Sequence, residues 1–394
     1  MSLRTDSVLI VISVYNHGKT LRRVVQAALA TSYAVLVVDD GSNDDGVLSL
    51  TGLACQVETL SENRGKGAAI MAAARIAKDQ GYTAIVTVDA DGQHDPAEVE
   101  RLVSCAAAGP WPAIVVGARE MVQDTVPASS RFGRSFSNFW VRLECGAELS
   151  DTQSGMRLYP VDILLQQKFS RTRYDFEIEA LVKSVWAGVP VRSVTVSVHY
   201  PPPEQRISHF RGILDNWRLT LLHTGLVFRR LLPFPHGSLL PKEKTSPTKI
   251  RVKRPFATLA RLCRENTSPF WIALAVWLGI FIGALPIFGF HLLVLVYLCY
   301  RLHINVIAAV AANQLCMPPV VPAICIELGF YMQNGSWLTH LTWETWLLEI
   351  HLRLWDWFLG SLFVGPVLGA IVACIVYGIA RRFQAAPLSA GGAR

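Results

Sequence analysis

Charged residues are scarce in this sequence. Asp, Glu, Lys and Arg make up 17% of the 394 residues, whereas 51% are hydrophobic, and the mean hydropathy of +0.32 is high for a soluble protein. The few charges lie mostly before about residue 265, and long apolar runs follow them. The length allows two or three domains, and the division predicts a polar N-terminal part and a membrane-associated C-terminal part.

Motifs of several other protein classes are missing. The eight cysteines are scattered, without a Cys-x-x-Cys pair, so neither a zinc site nor a disulfide framework is indicated and a reducing compartment fits. The N-terminus lacks the residue order of a signal peptide, so we expect the first half to stay in the cytoplasm. The net charge of +7 comes without a basic helix interleaved with base-stacking aromatics. Anionic membrane lipid is therefore a better partner than nucleic acid.

The predicted elements of the first half alternate between strands and helices. A run rich in Val and Ile at Val8–Val14 predicts a buried strand, and an amphipathic helix is expected from Thr20 to about residue 30. A second apolar run at 34–38 completes a βαβ unit, which implies a parallel sheet. Further strands are predicted at 85–88, 113–117 and 191–200, and further helices at about 68–77, 96–108 and 174–186.

Two aspartates one residue apart close the third predicted strand. Along an extended chain the side chains of residues i and i+2 point the same way, so Asp89, Asp91 and Gln93 can aim three oxygens at one point. Oxygen ligands of this kind suit Mg²⁺ or Mn²⁺. The alternative is an Asp-rich turn that only ends a strand. Asp39 and Asp40 end the preceding strand in the same way, and parallel α/β sheets bind ligands at this edge, which favours the metal site.

A glycine-rich turn opens the helix predicted at 68–77. Gly65 and Gly67 let the backbone approach a ligand closely, and Lys66 adds positive potential to the helix N-terminus, as a phosphate site requires. The spacing is neither that of a Walker loop nor that of a nicotinamide-binding turn. A glycine-assisted helix start is an equally good interpretation.

The second half begins with a predicted amphipathic helix at 207–232. It combines Trp217 with several arginines, and it either lies in a membrane interface or packs on the soluble domain. Residues 233–267 predict a linker, whose basic run carries Glu243 as its one acid before Glu265 and forms the cytoplasmic flank expected of a membrane domain.

Residues 268–382 predict a transmembrane domain. The clearest span is 358–380, which is uncharged, and the tryptophan-rich stretch 338–357 predicts an interfacial segment. Two earlier apolar blocks contain prolines and predict kinked spans or re-entrant hairpins. With residues 383–394 as a cytoplasmic tail, the number of crossings is even, either two or four.

Seven short motifs follow one another in the first half of the chain. They are Ser13-Val14-Tyr15-Asn16, Val38-Asp39-Asp40-Gly41-Ser42, Asn63-Arg64-Gly65-Lys66-Gly67, Asp89-Ala90-Asp91-Gly92, Gly117-Ala118-Arg119, Asp151-Thr152-Gln153-Ser154-Gly155-Met156-Arg157 and Phe176-Glu177-Ile178-Glu179. This ordered set resembles the family 2 glycosyltransferases of the GT-A fold, in particular the dolichyl- and polyprenyl-phosphate sugar synthases. The resemblance implies an α/β catalytic domain at 1–206 with a mostly parallel sheet, followed by an α-helical membrane domain.

The resemblance also implies roles for individual residues. The donor is a UDP- or GDP-sugar, whose diphosphate is held through Mg²⁺ or Mn²⁺ by Asp89, Asp91 and Gln93. A hydroxyl acceptor needs a general base, for which Asp151 and Glu177 are the candidates, whereas a lipid phosphate needs none. Transfer inverts the anomeric carbon without an enzyme-linked intermediate. Donor-binding residues are Tyr15, Asn16, Asp39, Asp40, Asn63, Lys66, Arg119 and Arg131, and the further arginines expected at the leaving group are Arg157 and Arg206.

One stretch departs from the pattern of the synthases. They usually carry an Arg-x-x-Gly-x-Ser-Lys-like sequence after the last strand, and this chain has Arg206-Ile207-Ser208-His209-Phe210-Arg211 there. The missing lysine leaves open whether the acceptor is a polyprenyl phosphate or a lipid hydroxyl, although Arg211 is a possible substitute. Residues 268–332 resemble the bacterial DUF2062 domain, a membrane domain of uncharacterised function.

Together these features predict a membrane-anchored, inverting glycosyltransferase with a lipid-linked acceptor. We expect a multi-pass protein of the bacterial inner membrane with a cytoplasmic catalytic domain, and a homo-oligomer is left open. A membrane transport or scaffold protein with a nucleotide-binding, transferase-like domain is the alternative. A nucleotidyltransferase would show a basic Gly-rich loop after the first strand, of which Tyr15-Asn16-His17-Gly18 is a poor version.

Overall fold

A computed structural model describes residues 3–120, 128–199, 212–240, 268–287, 289–316, 320–338 and 350–385. The chain divides into two units, Met1–Glu243 and Lys244–Arg394, which are described separately. Arg206 and the rest of the departing stretch lie outside the described residues, as do most of the tryptophan-rich stretch and the C-terminal tail.

The first unit is built on a seven-stranded sheet in the order β3-β2-β1-β4-β6-β5-β7. All neighbouring strands are parallel except β6, which runs antiparallel to both β4 and β5. The predicted α/β class with a mostly parallel sheet is confirmed. The strands are β1 (Val8–Val14), β2 (Ala34–Asp39), β3 (Gln56–Thr59), β4 (Ala84–Asp89), β5 (Ile114–Arg119), β6 (Arg157–Pro160) and β7 (Val191–Val196).

Helices cover both faces of this sheet, and side-chain alternation along β1 explains how. Ile10 and Ile12 belong to one buried cluster, and Leu9 and Val11 belong to the other, because successive strand residues point to opposite faces. A strand buried on both faces reads as a continuous apolar run. The helices are α1 (Gly18–Leu29), α2 (Lys66–Asp79), α3 (Val99–Ala107), α4 (Ala128–Cys145), α5 (Val161–Gln166), α6 (Phe176–Trp186) and α7 (Gly212–Leu231).

Each strand and helix predicted in this unit is present, with ends that differ by a few residues. The prediction omitted β3 and β6, which have four residues each, and the helices α4 and α5. Strand β3 lies at the sheet edge with its side chains exposed, so it carries no apolar pattern. Strand β6 follows a polar loop, and only its pairing with β4 and β5 identifies it.

The helix predicted at 207–232 is α7, and one of its faces packs on the first unit. Leu222 and Leu226 are buried against α4 and α6, whereas Trp217 and Phe228 are 61% and 63% exposed. The structure therefore shows packing on the soluble domain for one face, and the membrane interface stays a prediction for the exposed face.

The second unit is helical. Its last helix among the described residues is α12 (Ile350–Ala385). This helix contains Arg353–Arg382, a stretch of 30 residues that is long and apolar enough to cross a membrane and includes the predicted span. A helix pair bent by 68°, Val306–Cys316 with Val320–Asn334, passes the same test as one broken span, so the described residues offer one or two candidate spans. The helices are α8 (Pro269–Ala284), α9 (His291–Leu302), α10 (Val306–Asn313), α11 (Val320–Asn334) and α12 (Ile350–Ala385).

Candidate functional site

Two of the acidic residues predicted at one sheet edge, Asp39 and Asp89, end the strands on either side of β1. In the register of the central strands, Val14 of β1 is opposite Asp39 of β2, and Ser13 is opposite Asp89 of β4. The two carboxylates therefore flank the carboxyl end of β1. This is the edge at which open α/β sheets bind ligands.

Asp40 organises the glycine-rich turn. Its two carboxylate oxygens accept hydrogen bonds from the backbone N–H groups of Arg64 (2.8 Å) and Gly65 (2.7 Å). Burial raises the pKa of Asp40, although these two amides oppose the shift. Gly65 has a φ of +97°, and a side chain there would meet the backbone of Thr172, so only glycine suits this close approach.

Asp39 and Asn16 hold the adjoining loops in a similar way. An Asp39 carboxylate oxygen accepts a hydrogen bond from the Ser42 N–H (3.0 Å), and the Asn16 side-chain oxygen accepts one from the Asn43 N–H (2.8 Å). Asn16 itself has a left-handed backbone with a φ of +52°. These contacts fix the shape of the loops after β1 and β2.

Lys66 lies between two carboxylates of the site. Its Nζ is 2.5 Å from Asp89 Oδ1 and 3.0 Å from Glu177 Oε1, which is carried by the first turn of α6. Burial alone would lower the pKa of Lys66, but the charges of Asp89 and Glu177 outweigh it and raise the pKa above its ordinary value. Lys66 also holds the pKa of Asp89 below its usual range despite burial. In this arrangement the Lys66 ammonium forms ion pairs with both carboxylates.

Asp91 forms no salt bridge within the described residues, although the charges of Lys66 and Arg119 act on it. Burial, with the nearby charge of Asp89, raises the pKa of Asp91 to about 6, and Asp91 Oδ1 accepts a hydrogen bond from the Gln93 N–H (2.9 Å). The residue after Gln93 is His94, whose Nδ1 is buried and has no hydrogen-bond partner among the described residues. Burial lowers the pKa of His94, which keeps its ring neutral at pH 7.

No set of three or more His, Cys, Asp and Glu side chains gathers into a metal-binding group within the described parts of the chain. The predicted ligand set does not need one, since it consists of two carboxylates and the Gln93 amide. A Mg²⁺ ion is commonly held by one or two carboxylates together with substrate phosphates. The donor chemistry of the residues present fits such an ion.

Asp151 and Arg119 form a buried pair. The Arg119 Nε donates to Asp151 Oδ2 at 2.7 Å, and its Nη2 donates to Oδ1 at 3.1 Å. The backbone N–H groups of Arg119 and Gln153 donate to the same carboxylate. Burial alone would raise the pKa of Asp151, but the hydrogen bonds and charge of Arg119 hold it below its usual range. Both oxygens are engaged, so Asp151 is a weak proton acceptor.

Arg157 is fully buried. Its guanidinium donates to the carbonyl oxygens of Ser154 (2.7 Å), Thr152 (2.8 Å) and Glu177 (2.7 Å), and to the Tyr159 hydroxyl (3.3 Å). These bonds join the polar loop before β6 to the start of α6. The burial of Arg157 favours a positioning role over direct contact with a substrate.

Three predicted residues are not held in this cluster. Arg131 is exposed in the first turns of α4, Tyr15 is half-buried in the loop after β1, and Arg206 lies outside the described residues. Two residues that the prediction omitted adjoin the site. His94 is one, and the other is Arg173, whose Nη1 donates to the Asn63 side-chain oxygen at 3.2 Å. A polar loop directly before α6 was the available sequence signal for Arg173.

Gly155 offers a first test of the site. A Cβ atom at this position would overlap Asp89 and Lys66, so we expect Gly155→Ala to push the Lys66 ammonium away from the carboxylate. Because a displacement of about 1 Å can cost about 100-fold in rate, the sugar transfer that the resemblance implies should fall by about that factor, measured with detergent-solubilised protein. Gly378→Ala is the control, since nothing lies within 4 Å of its added Cβ. Unchanged transfer by Gly155→Ala would contradict the close packing.

Two family models match parts of the chain. Residues 9–165 match the family model described as Glycosyl transferase family 2. Residues 253–387 match the model described as Uncharacterized protein conserved in bacteria (DUF2062). The match to the first model spans β1 to β6 and most of the residues described above.

Individual relatives cover different shares of the chain. The polyprenol monophosphomannose synthase of Mycolicibacterium smegmatis is 28% identical over 222 residues, which are 53% of this chain and 82% of that protein. The undecaprenyl-phosphate 4-deoxy-4-formamido-L-arabinose transferase of Sodalis glossinidius is 40% identical over 118 residues, which are 27% of this chain and about a third (35%) of that protein. A structure of glucosyl-3-phosphoglycerate synthase from Mycobacterium tuberculosis aligns with a TM-score of 0.45 and 18% identity, over 57% of this chain and 81% of that one.

Proposed function

Since the N-terminal part of the chain carries a glycosyl transferase family 2 domain, we propose that the protein transfers a sugar from a UDP- or GDP-sugar to a polyprenyl phosphate at a bacterial inner membrane. The observation that carries the proposal is the cluster of Asp89, Asp91, Lys66 and Glu177 at the carboxyl edge of the sheet. Relatives named for polyprenol and undecaprenyl phosphate support the acceptor class.

A divalent cation belongs to this proposal. Asp91 and Gln93, with Asp89 beside them, would hold a Mg²⁺ or Mn²⁺ ion. The raised pKa of Asp91 supports this, because a carboxylate beside a like charge gains most from an added cation. When bound, such an ion would neutralise charge that develops on the leaving diphosphate.

Both candidates for the general base, Asp151 and Glu177, already form ion pairs with other side chains, and this favours a phosphate acceptor. Asp151 is saturated by Arg119 and two backbone amides, and Glu177 is paired with Lys66. A hydroxyl acceptor would need one of these groups to accept its proton. A lipid phosphate is already anionic, so its oxygen attacks the anomeric carbon directly as the bond to the nucleoside diphosphate breaks. One displacement of this kind inverts the anomeric carbon and needs no proton transfer.

Attachment to the membrane is proposed from both units. The α12 helix supplies a span, and the outer face of α7 supplies the exposed apolar side chains Leu214, Trp217, Leu221 and Phe228. Their spacing of three, four and seven residues places them on one side of the helix, as in helices that lie in the membrane interface. This arrangement would hold the catalytic domain at the cytoplasmic surface beside its lipid acceptor.

Transfer assays with purified full-length protein test the proposed function. The protein in neutral detergent is incubated with radiolabelled UDP- and GDP-sugars, undecaprenyl phosphate and Mg²⁺ or Mn²⁺. We expect one donor to label the lipid, the label to be lost with a chelator, and the anomeric configuration of the product to be opposite to that of the donor. A panel in which no donor labels the lipid, or in which a lipid alcohol is labelled instead, would refute the proposed acceptor.

The membrane contact of α7 gives a separate prediction. In nanodiscs that contain brominated lipids, which quench nearby indoles, wild-type protein should lose more fluorescence than Trp217→Phe, because an interfacial Trp217 lies within reach of the bromines. Trp111→Phe is the matched control, since Trp111 packs against the core of the sheet, and the amount of fluorescence that it loses to the bromines should equal that of the wild type. Equal quenching in wild type and Trp217→Phe would place α7 away from the lipid.

A further inference from the structure

A cavity of about 560 Å³ lies in the first unit, apart from the carboxylate cluster. It is bounded by the loop 167–171, by α6, by α7 and by the segment 236–239. Ligand pockets in proteins typically measure about 300–1,000 Å³. This volume is therefore sufficient for a polar headgroup with the beginning of an acyl chain.

Four cationic side chains line the cavity. Its lining includes Lys168, Arg171, Lys183 and Arg229, together with the carboxylate of Glu179. Glu179 pairs with Lys183 at 2.7 Å, and Arg171 lies 3.7 Å from Asp175. No salt bridge engages Lys168 or Arg229 within the described residues, so their charges remain available to a ligand.

Arg229 is the more informative of these two. Its guanidinium donates to the backbone carbonyls of Phe234 (3.2 Å) and Pro235 (3.0 Å). These carbonyls orient the group without cancelling its charge. Lys168 stands exposed at the rim of the cavity. An anion that enters the cavity would meet both cations.

Apart from Arg229, the α7 wall of the cavity is apolar. Leu222 and Leu226 form its buried part, and Leu221 and Gly225 stand at the surface of α7. A Cβ at Gly225 would meet nothing within 4 Å, so the glycine leaves the mouth open. The exposed Trp217 and Phe228 are on the same helix, and an acyl chain that leaves the cavity past Leu221 would follow them into the membrane.

We propose that this cavity binds the phosphate headgroup of an anionic membrane lipid, with the phosphate between Lys168 and Arg229 and the acyl chain along α7. The inference depends on the membrane contact proposed for α7. A lipid bound in this place would hold the catalytic domain at the membrane in a fixed orientation.

Native mass spectrometry of the full-length protein in neutral detergent tests the site. Three probes are titrated, namely dioctanoyl phosphatidylglycerol, dioctanoyl phosphatidylcholine and glycerol 3-phosphate. We expect saturable binding of phosphatidylglycerol and at least about tenfold weaker binding of the other two, since a charge-assisted hydrogen bond contributes about that factor. Equal binding of phosphatidylcholine would refute an anionic site, and equal binding of glycerol 3-phosphate would refute the lipid and indicate a free phosphate.

Two variants localise the binding. Gly225→Leu fills the mouth, and it should not unfold the helix because leucine has the higher helix propensity. Arg229→Gln retains donors for the two carbonyls but removes the charge. Each should weaken phosphatidylglycerol binding about tenfold. Thr224→Leu is the control, because it adds the same side chain at an exposed neighbour that does not line the cavity, and it should bind like the wild type.

Sugar transfer is measured on the same preparations. Gly225→Leu with wild-type lipid binding would overturn the proposed site, whatever the transfer rate. Wild-type protein that binds phosphatidylglycerol in the predicted way but transfers no sugar would leave the site standing and refute the proposed function instead.

Discussion

Asp91→Asn should lower the rate of sugar transfer by about 10²–10³-fold, the loss typical when a group that stabilises developing charge is removed. Asn keeps the size of the side chain and an oxygen that can accept the Gln93 N–H. It removes the negative charge with which a divalent cation, and through it the diphosphate, would be held. The measurement is kcat with saturating donor at several Mg²⁺ and Mn²⁺ concentrations, and higher metal concentrations should recover part of the loss.

The stability of this variant separates a lost function from a lost fold. Burial and the charge of Asp89 raise the pKa of Asp91 to about 6, so without metal its ionisation destabilises the native protein. The stability associated with this raised pKa is present at low pH and is lost as the pH rises through about 6. At pH 8 the unfolding temperature of Asp91→Asn should therefore equal or exceed that of the wild type. Any excess should disappear below about pH 4.

Asp95→Asn is the matched control. Asp95 is exposed, and its side chain accepts a hydrogen bond from the Ala97 N–H (3.0 Å) at the start of a short helix. Asparagine caps such a position equally well, so transfer should match the wild type. Full transfer by Asp91→Asn, or an equal loss in Asp95→Asn, would contradict the role assigned to Asp91.

Arg157→Lys should destabilise the first unit by about 3–5 kcal/mol and abolish most transfer. The buried guanidinium donates to three carbonyls at once. A lysine ammonium cannot reach these separated acceptors together, and each buried acceptor that loses its donor costs about 1–3 kcal/mol. The loop that carries Asp151 and Gly155 would lose its attachment to α6, and the carboxylate cluster would lose its geometry.

Hydrogen exchange measures this effect locally, as is necessary for a chain of two units whose unfolding need not be a single transition. Amides of the segment 151–158 and of the first turn of α6 should exchange faster in Arg157→Lys, whereas those of α8 should be unchanged. Arg101→Lys is the control, since Arg101 is an exposed side chain that pairs with Glu98 at 3.0 Å. Wild-type exchange in 151–158 would show that Arg157 does not hold the loop.

The order of strands and helices in the first unit could be predicted from sequence because apolar periodicity is a local property. The βαβ rule then brings the ends of β1, β2 and β4 to one edge, which made the position of Asp39 and Asp89 at that edge predictable. Strands β3 and β6 were not predictable, because one is exposed at an edge and the other depends on pairing with strands distant in the chain.

The roles of the charged residues depend on long-range packing. The sequence identified Lys66, Glu177, Asp151 and Arg157 as polar residues in loops or at helix starts. It contained no signal that Lys66 bridges Asp89 and Glu177, or that Arg157 is buried. Such pairings join parts of the chain that only the folded sheet brings together, so no local pattern records them.

The sequence by itself determined the class of the protein: an α/β unit with acidic strand ends, followed by an apolar helical part. These follow from side-chain periodicity, from the connection rule for parallel strands and from hydropathy, which act on neighbouring residues. The tertiary structure decided how the site is arranged, including the pairing of both base candidates and the cavity beside α7. Burial and charge compensation are properties of the whole unit, since a carboxylate is a base or a structural ion according to what packs around it.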